Sequence, residues 1–287
     1  MKPVTRKLIR TIQSQLFFLK EARDSFYYHT RRILSQPHET EFYALEFIPD
    51  ELPGCYVDVG ANQGQSIESI KAIKPRARVV SFEANRGLAQ KLQARYRGRS
   101  DITVHAYGLS DQPDERTLFV PAYRKFVYDG NASFDRDNAL ALYNSHNLFW
   151  FSRAKLELKE LPCSVQRLDD QHLEPLFMKI DVQGFEHRVV LGGLETIKRH
   201  EPILMIECLF DQPELVSLLQ SLGYDEYVFD ETGLSRGKSR GAVNQIVMTE
   251  RRARQVRLAP DGGRAPNLAH HTAQRLMQTD LKTPRTE

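Results

Sequence analysis

Cysteine is scarce in this chain, and long apolar runs are scarcer. The three cysteines in 287 residues, Cys55, Cys163 and Cys208, have neither paired nor metal-like spacing. That excludes a disulfide scaffold and a zinc ribbon, and it reads as buried, reduced thiols. The longest apolar stretch near the start is Leu16-Phe17-Phe18-Leu19, far short of the ~20 residues that span a bilayer. No signal-peptide h-region with a cleavage site is recognisable, so the cytoplasm is the expected location. There is no internal repeat, which sets aside solenoid architectures.

A large net charge is also missing, but the balance is uneven. The formal net charge is +3. Residues 1–32 carry +6 and residues 251–287 carry +5, which leaves −8 on the middle of the chain. The basic ends suit an acidic membrane surface or nucleic acid, although solvated ends are the commoner explanation. Residues 5–34 carry Leu8, Ile9, Ile12, Leu16 and Leu19 at helical spacing among basic residues. A docked or dimer-forming helix is expected there, with peripheral membrane contact as the open alternative. Residues 251–287, rich in Pro, Gly, Arg and Thr, are expected to be disordered.

What is present is an alternation of strands and helices. Strand patterns fall at 55–59, 79–83 and 102–107, with helical patterns at about 64–74 and 86–97. Arg116–Val120 reads as a further strand. The polar, aromatic stretch 122–160 then interrupts the rhythm as a lid or binding insertion. The pattern resumes with strand 176–182, helix 185–200, strand 202–208 and helix 213–222, and two strands near 227–229 and 245–249 close it. This order predicts one α/β domain over 50–250 with a parallel sheet, flanked by a basic helical extension (1–49) and a tail (251–287).

Ligands of such sheets bind at the C-terminal strand ends. The segment Tyr56-Val57-Asp58-Val59-Gly60-Ala61-Asn62-Gln63-Gly64 is a strand, a glycine turn and a helix start, a layout whose free N–H groups receive electron-rich ligand groups. Nineteen residues later Glu83 ends the next strand, placed to accept hydrogen bonds from ribose hydroxyls. A dinucleotide turn needs a middle glycine beside the pyrophosphate; here Asn62 stands near that position, and Asp58 would repel phosphate. The same carboxylate suits the ammonium of S-adenosylmethionine, directly or through water. Lys179-Ile180-Asp181-Val182-Gln183-Gly184-Phe185-Glu186 brings Asp181 to the same edge, and Glu207 ends the following strand. Asp181 is positioned to orient or deprotonate an acceptor hydroxyl, or to hold a divalent ion with Glu207; the competing reading is a helix-capping acid.

These segments, with Ser81-Phe82-Glu83, Leu109-Ser110-Asp111, Val190-Leu191-Gly192-Gly193 and Ile203-Leu204-Met205-Ile206-Glu207, resemble the FkbM-type methyltransferase family over about residues 50–250. The resemblance implies a Rossmann-like class I methyltransferase fold, a seven-stranded, mostly parallel sheet with the last strand antiparallel. It also implies O-methyl transfer from S-adenosylmethionine to a hydroxyl of a sugar, glycan or natural product. The cofactor-binding residues expected are Asp58, Gly60, Ala61, Asn62, Gly64, Glu83, Ala84 and Ser110. Asp181 is expected as the catalytic residue and Asn131, Ser133, Trp150 and Glu207 as acceptor contacts. No metal ligands are assigned. Two departures stand out: Ala84 replaces the proline that often follows the acid, and Gln183 replaces the glutamate of D-V-E-G, which shifts the catalytic role onto Asp181. A non-catalytic cofactor-binding module and a nucleic-acid methyltransferase are the alternatives. The latter is disfavoured by the acidic middle of the chain and by the absence of N-P-P-Y or D-P-P-Y.

Overall fold

The computed structural model describes residues 36–124, 126–230, 233–238 and 242–256. The helix expected over 5–34 and the tail beyond 256 lie outside them. Two sheets organise the chain. The larger is built from β1 (Cys55–Val59), β2 (Val79–Phe82), β3 (Ile102–His105), β8 (Pro175–Ile180), β9 (Ile203–Glu207), β10 (Tyr224–Asp230), β11 (Gly233–Arg236) and β12 (Asn244–Thr249), in the order β11-β10-β12-β9-β8-β1-β2-β3. β8, β1, β2 and β3 run parallel with β9, whereas β12 enters antiparallel between β9 and β10. The order reverses between β1 and β8, the switch point at which α/β sheets bind ligands.

This is the α/β, mostly parallel class I methyltransferase arrangement, with eight strands rather than seven. The extra strand is the β11 edge, which the Gly/Ser/Arg-rich connection conceals in the sequence.

The strands of the parallel core are apolar on both faces, as burial under helices requires. One face packs against α1 (Gln65–Ile73) and α2 (Arg86–Arg95), with Ile67, Ile70, Ala89 and Leu92 inside. The other packs against the pair α4 (Glu186–Leu191) and α5 (Leu194–His200) and against α6 (Pro213–Ser221), through Val189, Val190, Ile197, Leu215 and Leu219. A single helix is expected over 185–200, but Gly192-Gly193 divides it. A Cβ on Gly192 would meet the Ser110 carbonyl at 1.9 Å, so the chain bends where it touches Ser110.

The insertion is not a loop throughout. β5 (Asp114–Tyr123) pairs antiparallel with β7 (Leu156–Gln166) over ten residues, and β4 (Gly108–Leu109) and β6 (Phe126–Val127) complete a small sheet ordered β4-β7-β5-β6. Between them lie a 3-10 turn at Asp129–Asn131 and α3 (Arg136–Leu140).

The described residues on either side of 50–250 also pack against the sheet. Residues 40–47 form a 3-10 helix that buries Phe42, Leu45 and Phe47 in the main core. After 250, α7 (Glu250–Ala253) continues the fold. Arg252 is buried and donates to the backbone oxygens of His200 (2.6 Å) and Glu201 (3.0 Å). No helix among the described residues is long and apolar enough to cross a membrane.

Candidate active site

The turn after β1 is shaped by a close approach. Gly60 has φ +94, and a Cβ there would lie 1.9 Å from the Asp181 carbonyl oxygen. Only glycine therefore lets the ends of β1 and β8 meet. The Gly60 and Ala61 N–H groups donate to the Phe82 oxygen (2.9 and 3.2 Å), and the Asp181 N–H donates to the Val59 oxygen (3.0 Å). Three strand ends are thereby tied together.

An open cavity lies at this junction. Gly60, Asn62, Glu83, Ala84, Asp181, Val182 and Gln183 line it, with Phe82, Leu109, Leu118 and Phe134 as apolar walls. Of the expected cofactor residues, Gly60, Asn62, Glu83 and Ala84 are on the wall. Asp58, Ala61, Gly64 and Ser110 are buried and do not line it. Asp58 lies inside the sheet, accepting from Ser81 Oγ at 2.8 Å. Burial pushes its carboxyl up to about 6, against the Ser81 hydrogen bond. Ser110 Oγ donates to Asp111 (2.8 Å), beside Gly192.

Glu83 is held from two sides. Its Oε2 accepts from the Asn62 N–H (2.6 Å) and its Oε1 from the Asn85 N–H (2.7 Å). Burial outweighs these bonds and raises the carboxyl to about 7. A carboxylate offers about four acceptor positions, so each oxygen keeps one for a ligand hydroxyl. Asn62, in the left-handed region at φ 49, has a buried Oδ1 with no hydrogen-bond partner among the described residues.

The other end of the cavity is a carboxyl pair. Asp181 is the first residue beyond β8, with 32% of its side chain exposed. Gln183 Nε2 donates to Asp181 Oδ1 (3.0 Å) and to Glu207 Oε2 (2.5 Å), which brings the two carboxyls onto one donor. Lys179, fully buried, places its Nζ 3.4 Å from Asp181 Oδ2. Burial acts to raise the Asp181 pKa, but the Lys179 charge and the hydrogen bonds from Glu207 and Gln183 outweigh it and hold the carboxyl below its usual range. Glu207 goes the other way, to about 9, through burial and the adjoining Asp181. The pair holds one proton between them, mainly on Glu207.

Gln183 is therefore more than a lost carboxylate: it is the donor that joins two acids. Its turn is pinned by Glu186, which accepts from the N–H groups of Val182 (3.0 Å) and Gly184 (3.1 Å), and by Ser133 Oγ, which donates to the Gln183 oxygen at 2.9 Å. Glu186 is buried and holds the turn. Ser133, expected at the acceptor, has its hydroxyl committed to that bond. Asn131 Oδ1 accepts from Tyr143 OH (3.2 Å). Trp150 is 80% exposed and off the cavity wall. Asp129 of the insertion does line the cavity, and no sequence signal marked it. Among the described residues no group of three or more His, Cys, Asp or Glu is arranged to hold a metal ion.

A model of the Methyltransferase FkbM domain matches residues 58–226, from Asp58 past Glu207. The chain belongs to the FkbM methyltransferase family. The matched FkbM domain spans the glycine turn, the Glu83 strand end and the carboxyl pair. A curated relative is the AMB antimetabolite synthetase AmbE of Pseudomonas aeruginosa, 32% identical over 187 residues, covering 54% of this chain and 9% of that protein. Among solved structures, the FkbM methyltransferase of Methylobacillus flagellatus is 20% identical, with 72% of this chain and 47% of that one covered and a TM-score of 0.44. Human methyltransferase-like protein 13, in complex with SAH, is 15% identical, with 85% and 91% covered and a TM-score of 0.36. The chain thus spans less than half the length of AmbE and of the M. flagellatus protein.

Proposed function

We propose that this FkbM methyltransferase transfers a methyl group from S-adenosylmethionine to a hydroxyl of a sugar, glycan or natural product, with Asp181 as the base. One observation carries the reading. Asp181, held as the anion by Lys179 and Gln183, lies on the same cavity wall as the glycine turn and Glu83. The donor set fits the cofactor: Glu83 retains acceptor positions for a ribose diol, and Phe82, Ala84 and Leu109 offer apolar contact for an adenine. The unpartnered Asn62 Oδ1 suits an ammonium. When bound, S-adenosylmethionine supplies an electrophilic methyl on sulfur with a neutral thioether as leaving group.

The protein's part is alignment, exclusion of water and removal of one proton. Asp181 accepts the acceptor's O–H proton as the O–CH₃ bond forms and the S–CH₃ bond breaks. Gln183 keeps the receiving oxygen in place, and Glu207 keeps its own proton, so the pair presents a single negative charge.

The test is incubation of purified protein with S-adenosylmethionine and fractionated glycan and natural-product extracts. A mass gain of one CH₂ that requires both protein and cofactor supports the reading. Calorimetric uptake of the cofactor with no transfer to any fraction supports a binding module instead.

A further inference from the structure

Gln183 is held at both of its ends. Its side-chain amide spans Asp181 and Glu207, while its carbonyl oxygen accepts from Ser133 Oγ at 2.9 Å. The residue has φ 51, a left-handed conformation that a residue with a long side chain keeps only when its surroundings impose it. Glu186 ties the N–H groups of Val182 and Gly184 on either side. The Gln183 carbonyl is left to the insertion.

Ser133 is well placed to hold it. The residue is buried, and its backbone exchanges two hydrogen bonds with Phe119 of β5 (2.9 and 3.1 Å), so the hydroxyl stands on the small sheet. Its Oγ also accepts from the Asp135 N–H (3.1 Å), and Asp135 caps α3 by accepting from the N–H groups of Asp137 and Asn138 (both 2.8 Å). The cap brings Asn138 onto the same turn: a Cβ on Gly184 would lie 2.6 Å from Asn138 Nδ2. The insertion thus meets the turn at two successive residues, Gln183 and Gly184. Ala132 and Phe134, on either side of Ser133, line the cavity.

We propose that Ser133 is a positioning residue for methyl transfer, which fixes the Gln183 peptide so that the Gln183 amide stays across Asp181 and Glu207. This rests on the role given to Asp181 above. The hydroxyl bonds to neither acid and acts on both through one residue, so the insertion carries part of the catalytic geometry besides covering the site. Lys179 on β8, Asp58 on β1, Cys208 after β9 and Glu39 ahead of the 3-10 helix also face the pair. Ser133 bonds to none of them, so its removal should reach the pair through Gln183.

The test joins a titration to a transfer assay on the full chain. Carboxyl-carbon NMR of glutamate-labelled protein follows Glu207, assigned by the signal missing from Glu207→Gln. In Ser133→Ala the Glu207 midpoint is expected to move up by about half a pH unit or more, because its anion has lost a donor. Transfer of labelled methyl into an extract fraction that wild type modifies should fall by about tenfold, with affinity for S-adenosylmethionine within about threefold of wild type. Added to Gln183→Ala, Ser133→Ala should lower transfer no further, whereas a purely structural loss would add. A thermal melt checks folding; if Ser133→Ala does not fold, Ser133→Cys, similar in size and a weaker donor, takes its place. An unmoved Glu207 midpoint in the folded variant, or losses that add across the two substitutions, would overturn the proposal and leave the role of Asp181 standing. A wild-type protein that transfers to no fraction would overturn the function proposed above, and with it a role for Ser133 in transfer. The titration needs no acceptor and still decides the link from Ser133 to the pair.

Discussion

Strands β1 and β8 lie side by side, and each runs into a turn with left-handed residues before a helix: Asn62 (φ 49) and Gly64 (φ 89) in one, Gln183 (φ 51) and Gly184 (φ 93) in the other. Each carries an aspartate near its end, but the two acids have opposite fates. Asp58 is still inside its strand, opposite Lys179 in the register, and is fully buried. Asp181 is one residue past its strand, where the sheet stops covering it, and is about one third exposed. Burial drives Asp58 toward its neutral form, while Lys179 and Gln183 hold Asp181 as the anion. A small offset relative to the strand end thus separates an acid that supports the turn from one that can meet a substrate.

The largest effect should come from breaking the contact that joins the two turns. Gly60→Ala puts a Cβ into the Asp181 carbonyl and forces φ +94 on an alanine. A destabilisation of about 3 kcal/mol or more is expected, with loss of cofactor uptake. Denaturant unfolding followed by calorimetry would show it; a variant of native stability would mean the two strand ends do not meet as described.

Next comes the anion itself. Asp181→Asn should lower turnover by ~10²-fold or more with cofactor affinity retained, because Gly60, Asn62 and Glu83 are untouched.

Asp58→Asn should act on stability. The folded pKa of Asp58, about 6, lies above its ordinary 3.8. Its contribution is therefore complete below the ordinary value and is lost as pH rises through 6. The asparagine variant should be more stable than wild type by about 1–3 kcal/mol at pH 8, a gain that disappears near pH 4. Urea midpoints at the two pH values measure this. A folded Asp58→Asn that no longer binds S-adenosylmethionine would place that carboxylate on the cofactor and erase the contrast.

The smallest effect is expected at Glu207. Its proton is retained to about pH 9, so Glu207→Gln should change neutral-pH turnover by less than about tenfold. The variant should also lack the change in activity expected of wild type as pH passes through about 9, which a pH–rate profile would reveal.

Much of this was legible in the residues themselves. The β1 turn and Glu83 announced themselves because an apolar strand, a glycine turn and an acid at set spacing are local features. Asp181 was legible for the same reason. What stayed hidden depends on long-range pairing. β7 begins Leu156-Glu157-Leu158-Lys159, a real alternation, but its charges and Pro162 disguised it as loop. Asp129 acquires its place only once Ser133 pairs with Phe119, and no periodicity announces that contact. The commitment of Ser133 to the Gln183 oxygen, and of Glu186 to the amides of its own turn, could not be read from residue type. Both look equally suited to a ligand until the neighbouring backbone is in place.

The most direct test is a paired measurement on wild type and Asp181→Asn: calorimetric affinity for S-adenosylmethionine, and transfer of its labelled methyl group into an extract fraction that wild type modifies. The account predicts matching affinities and a loss of transfer of ~10²-fold or more in the variant. Equal transfer by the two proteins at equal affinity would contradict it.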